Sequence, residues 1–245
     1  MKKILLISLL AVATSLCFAV EPLENKLPEK YVLLRDAVYG TTNTENEVAS
    51  LYDNAVTEAN TNYKNEDLHT LLALCNYMKG MDYYYKGEEK KAGDCFDSGI
   101  SEVNKSLEIK RTAIGITAYT KILLQNSSVK SMTYGLKWVP KITSLCDEAI
   151  SLNSTYTPAY QMKYAILCII PSPYGNYKKG SELMLSLNDD KWKKEKDDYF
   201  SIATAAAYAF SKTNQKYKAI LWYKKGLEYY PNNSDCLKQL AEVEQ

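Results

Sequence analysis

Residues 80–99 read GMDYYYKGEEKKAGDCFDSG, and residues 207–226 read AYAFSKTNQKYKAILWYKKG. Laid on each other, Gly80, Tyr83, Gly87, Ala92, Phe96 and Gly99 fall on Ala207, Phe210, Asn214, Ala219, Tyr223 and Gly226, at the same intervals of 3, 4, 5, 4 and 3 residues. Small residues recur where two helices cross closely, and an aromatic recurs where it fills the gap beside them. In the first block Lys86-Gly87 stops a helix with a residue that tolerates positive φ. Glu88-Glu89 then puts negative charge at the start of the next one, where the helix dipole favours it. Two helices joined by so short a turn lie antiparallel, as a hairpin.

Helical periodicity extends outward from both blocks. Leu71, Leu74, Cys75, Met78, Met81 and Tyr85 form the stripe that leads into the first block, and Val48, Leu51, Tyr52, Ala55, Val56 and Ala59 form an earlier one. Leu33, Leu34, Ala37 and Val38 predict a short first helix. Further helices are expected from Ala113 up to a stop at Gln125-Asn126-Ser127, from Lys130 to Val139, and from Pro140 through a stripe ending at Leu152. Thr157-Pro158 opens another helix, Pro171–Asn176 reads as a loop, and Gly180, Leu183, Met184 and Leu187 lie on the returning helix. Asp189–Asp198 is very polar, and residues 233–245 supply a final helix. The fold class is therefore all-α: stacked antiparallel helix pairs over residues 31–245, degenerate in the middle, with a C-terminal capping helix. Ten glycines and seven prolines in 245 residues, with no proline between Pro28 and Pro140, are too few breakers for a turn-rich β chain.

The paired blocks resemble the tetratricopeptide repeat, a helix–turn–helix unit of about 34 residues, and Pro231-Asn-Asn resembles its usual ending. Asn76 and Lys79 depart from the repeat's large apolar positions. The resemblance implies an α-solenoid with a concave groove for a protein partner. In the repeat's register Tyr77, Met81, Tyr84 and Tyr85 fall on the groove side of the first repeat, and Tyr208 does so in the last. Those positions are mainly apolar or aromatic, where repeats that grip a peptide carboxyl terminus use Lys and Asn. The 21 tyrosines against 4 Phe and 3 Trp suit half-wet surfaces, where a ring packs and its hydroxyl finds a partner. The loop Pro171, Tyr174, Gly175, followed by Lys178, Lys179 and Gly180, also resembles the T-component family of tripartite ATP-independent periplasmic (TRAP) transporters. That resemblance implies an apolar ligand tunnel, a hydrophobic small molecule, and a solute-binding subunit as partner. Asn176 stands where a second glycine is expected.

The N-terminus MKKILLISLLAVATSLCFA has a basic start, a short apolar run and small residues at a cleavage site, so residues 1–19 read as a secretory signal. The expected address is the periplasm, with lipid attachment at Cys17 as the alternative. Residues 20–30 read as a linker. Cleavage leaves Cys75, Cys95, Cys146, Cys168 and Cys236. They form no zinc spacing and read as buried thiols, and Cys75–Cys95 is the one bridge worth testing. His69 is the sole histidine and reads as a surface residue. The doubled carboxylates read as solvated helix starts, because neighbours in a helix do not face each other. The sequence predicts no catalytic residues, no metal site and no cofactor. A formal net charge of +1 gives no field for nucleic acid. No other run is long enough to span a membrane.

Overall fold

A computed structural model describes residues 23–41 and 44–245, so the signal at 1–19, Cys17 and the first linker residues lie outside the described residues. The described residues contain eleven helices and no strand. They are α1 (Glu29–Gly40), α2 (Glu45–Asn62), α3 (Asn65–Tyr85), α4 (Glu89–Ile109), α5 (Ala113–Lys130), α6 (Met132–Leu152), α7 (Thr157–Ile169), α8 (Tyr177–Ser186), α9 (Lys196–Lys212), α10 (Lys216–Tyr229) and α11 (Ser234–Glu244). None is long and apolar enough to cross a membrane.

The two matching blocks are the hairpins α3–α4 and α9–α10. Each turn holds a residue in the left-handed region, Gly87 at φ 76° in one and Asn214 at φ 57° in the other, the two residue types that adopt it most readily. Ala92 and Ala219 are fully buried, and so are their flanking aromatics Phe96 and Tyr223. A Cβ on Gly80 would lie 2.6 Å from Phe96 Cδ1, and one on Gly226 would lie 3.1 Å from Thr204 Cγ2. The small residues thus let the paired helices approach closely.

The odd-numbered helices α1, α3, α5, α7 and α9 contact one another in series, and each even-numbered helix packs mainly on its neighbours in the chain. The difference is visible in burial. α5 is buried nearly all round, from Ala113 to Ser127, whereas α4 buries one stripe through Ala92, Phe96, Gly99, Val103 and Ser106. The odd helices are therefore the inner layer of a curved stack.

α1 closes that curve, because besides packing on α3 it reaches the last repeat. Asn233 Nδ2 donates to the Tyr39 carbonyl at 2.9 Å, and the Tyr230 hydroxyl donates to Asp36 at 2.7 Å. Tyr39, Phe200 and Tyr230 form one ring cluster with centroids 5.1–5.7 Å apart. Arg35, only 2% exposed, reaches Glu195 at 2.8 Å and Asp197 at 2.6 Å. Burial works against its charge, but Asp197 chiefly, with Glu195, holds the guanidinium more firmly protonated than usual.

Four expectations change. α5 runs on to Lys130 because its supposed stop residues bond sideways: Asn126 Nδ2 donates to Asp97 and Ser127 Oγ donates to the Leu123 carbonyl, both at 2.8 Å. Pro140 lies inside α6 instead of starting a helix. It is exposed, while Val139, Ile142, Cys146 and Ala149 stay buried, so tertiary packing carries the helix past the missing hydrogen bond. Leu152, at the end of that stripe, is 51% exposed. The described part of the linker is anchored: Leu23 is buried, Glu24 accepts from Ile114 N and Asn153 Nδ2, and α1 begins at Glu29.

Candidate functional site

A cavity of about 970 Å³ opens on the concave side, and every repeat contributes to its wall. α3 supplies Tyr77, Met81, Tyr84 and Tyr85. The end of α5 adds Leu124 and Ser128, and the end of α7 adds Ile169, Ile170 and Pro171. α9 contributes Phe200, Tyr208 and Lys212, and α10 contributes Tyr223. Closure by α1 brings in Tyr39, and α11 with its capping Asn233 completes the wall.

Tyr77, Met81, Tyr84, Tyr85, Tyr208 and Pro171, the groove residues read from the sequence, share this wall. Tyr174 and Gly175 stand apart from it. Tyr174 is exposed, and a Cβ at Gly175 would run into the Ile170 carbonyl, so Gly175 serves the turn. Asn176 has its own task there: its side chain caps α8 by accepting from Lys179 N at 3.0 Å.

On the wall the Tyr77 hydroxyl interacts with Tyr39, that of Tyr84 with Ser128, and that of Tyr85 with Asn233. Burial pushes the phenols of Tyr39, Tyr77 and Tyr85 well up, so they stay neutral. Tyr223 differs. It is 2% exposed, burial pushes its phenol up too, and its hydroxyl has no hydrogen-bond partner among the described residues. Of the lining side chains only Lys212 and Asp235 are carboxylates or amines, and both are exposed.

Tyr39, Phe200, Tyr223 and Asn233 are wall residues that the sequence reading did not assign to the site. Tyr223 was legible as the repeat's packing aromatic, but nothing local marks its hydroxyl as unpaired. Tyr39 and Asn233 meet only because the chain closes on itself across 194 residues.

Nucleophilic chemistry finds little support among the described groups. The five described cysteines are free, Cys75 and Cys95 included, and burial pushes the thiols of Cys75, Cys146, Cys168 and Cys236 up to about 12. His69 is half-buried, and its Nδ1 sits 2.8 Å from Glu102, where it clips α3 to α4. Among the described residues no cluster of three His, Cys, Asp or Glu could hold a metal.

Serial helix hairpins, closely crossing small residues and a concave inner layer define a tetratricopeptide-like helical-repeat protein. A solved structure of a thermophilic TPR protein from Thermus thermophilus matches the fold with a TM-score of 0.51 at 15% identity, over 87% of this chain and 98% of that one. No protein-family model and no curated protein matches the chain.

Proposed function

We propose that this chain is a non-catalytic binding protein that works in the cell envelope after export, and that it recognises a protein partner through its tyrosine-walled cavity. One observation carries the reading: residues from five hairpins and the cap converge on a single concave cavity rather than leaving separate surfaces. Helical-repeat stacks characteristically bind partners along such a surface. Tyrosines suit it, because each offers a rigid apolar ring and a polar tip. The test places a photo-crosslinking phenylalanine analogue at Tyr208, in cells expressing the full chain. A single covalent adduct with an envelope protein, lost in a Tyr84→Ala background, is the expected result. Absence of any adduct overturns the reading.

A second reading, similarity to a T-component that partners a TRAP-type solute-binding subunit, draws on the closure by α1 and on the place of Pro171 in the cavity wall. Under it the adduct contains a solute-binding protein. An adduct with any other protein excludes it.

A further inference from the structure

We infer that the protein partner is held at the cavity mouth through a basic side chain, an arginine or lysine that pairs with Asp235 beside the rings of Tyr84 and Tyr85. This inference rests on the reading of the cavity as a protein-recognition site, and it adds the chemistry of the group recognised.

Charge is the first reason. Asp235 is the one carboxylate on the cavity wall. The charges that act on it most are Lys238 and Glu242 of its own helix, which oppose each other. Burial outweighs both and pushes its carboxyl up, so the chain itself gives this anion little compensation. Lys212, the wall's one amine, is engaged elsewhere, over the Tyr208 ring at 4.8 Å from its centre.

The surroundings of Asp235 are the second reason. Tyr84 and Tyr85 end α3 with half-buried rings, their centroids 6.1 Å apart and their planes tilted by 56°. The charge of Asp235 raises both phenols, so carboxylate and rings share one corner of the mouth. A ring face attracts a cation, and a carboxylate beside it adds a charge-assisted hydrogen bond. Asp235 also lies in the first turn of α11, where the helix dipole favours an anion. That effect asks only for a negative charge in the turn, not for one on the cavity wall beside two tyrosines. Past this corner the wall turns apolar at Met81, Leu124 and Phe200, so the segment recognised is a basic residue flanked by apolar ones.

The Tyr208 crosslink tests this in cells expressing the full chain with Asp235→Asn, Asp235→Lys or Asp235→Glu. Asp190→Asn, in an exposed loop, controls for net charge. The isosteric Asp235→Asn is expected to cut the adduct yield at least about fivefold, and Asp235→Lys to abolish it. Asp235→Glu should stay within about twofold of the parent, because it keeps the charge. Random dodecapeptides displayed on phage and selected on the purified full chain give a second readout. The parent should enrich Arg or Lys among apolar residues, and the Asp235→Lys chain should enrich Asp or Glu instead. A purely structural carboxylate would lower the melting temperature of Asp235→Asn and leave both crosslink and selected peptides unchanged. An unchanged yield in Asp235→Asn, an equal loss in Asp190→Asn, or a selection without basic residues overturns the inference, while the protein-partner reading stands. If the parent itself forms no adduct, both readings fall.

Discussion

The hairpins α3–α4 and α9–α10 follow one pattern of small and aromatic residues, and they differ at the aromatic that fills the crossing, Phe96 in one and Tyr223 in the other. In α3–α4 the gap beside Gly80 is filled by Phe96, whose ring lies 5.9 Å from that of Tyr77. In α9–α10 the corresponding pair is Ala207 and Tyr223, equally buried, with a hydroxyl that the fold leaves unpaired. The turns agree in the same manner, Gly87 in one and Asn214 in the other, both left-handed. Where the two agree, the cause is backbone geometry and helix crossing. Where they differ, at Phe96 and Tyr223, packing is served equally by either ring.

The largest effect is expected where α1 ties these hairpins together. Arg35→Ala leaves Asp197 and Glu195 facing each other without their cation, and should destabilise the chain by about 3 kcal/mol in urea titration. An unchanged midpoint would mean that the two hairpins are held together by apolar contact alone. Next come the crossings. Gly80→Val should cost about 2–3 kcal/mol and Ala219→Leu about 1–3 kcal/mol, because neither site has room for added methyl groups. Equal melting of these variants and the parent would break the shared register.

Exchanging the oxygen sharpens the comparison directly. Phe96→Tyr buries a hydroxyl in a filled gap and should cost about 1–2 kcal/mol, whereas Tyr223→Phe should stay within about 0.5 kcal/mol of the parent or exceed it. Similar losses in both would make the two aromatics equivalent.

The remaining prediction concerns pH and a buried carboxyl of the last hairpin. Burial first, and then the charge of Asp197, push the Asp198 carboxyl up toward about 7. A carboxyl raised above its unfolded value binds its proton more tightly when folded, so stability falls as pH rises from about 4 to 7 and stays low above that. Asp198→Asn should therefore flatten the pH dependence between pH 5 and 8 and raise stability at pH 8, as measured by urea midpoints. A steeper dependence in the variant would assign the slope to another group.

Much of this architecture could be read from spacing alone, because small-residue crossings and left-handed turns leave local marks at Gly80, Gly87, Ala92, Ala219 and Gly226. The groove tyrosines of α3 were legible for the same reason: they sit at fixed offsets from those crossings. Three features were not. Asn126 and Ser127 look like a helix stop, but Asn126 Nδ2 donates to Asp97 on the packed neighbour and Ser127 Oγ donates to a carbonyl of its own helix. Pro140 is a breaker by local rules that buried neighbours override. Tyr39 and Phe200 reached the cavity through closure of the stack, an event between segments far apart in sequence.

That closure changes how the molecule comes apart. An open row of repeats has two free ends, and its stability is close to a sum of nearest-neighbour contributions, so it can fray inward from either terminus. Here the first described helix, α1, locks onto the last repeat, so the described stack is tied across its two ends. The stack should therefore melt as one unit, with a late, long-range step in folding: docking of α1 must wait until the final hairpin exists.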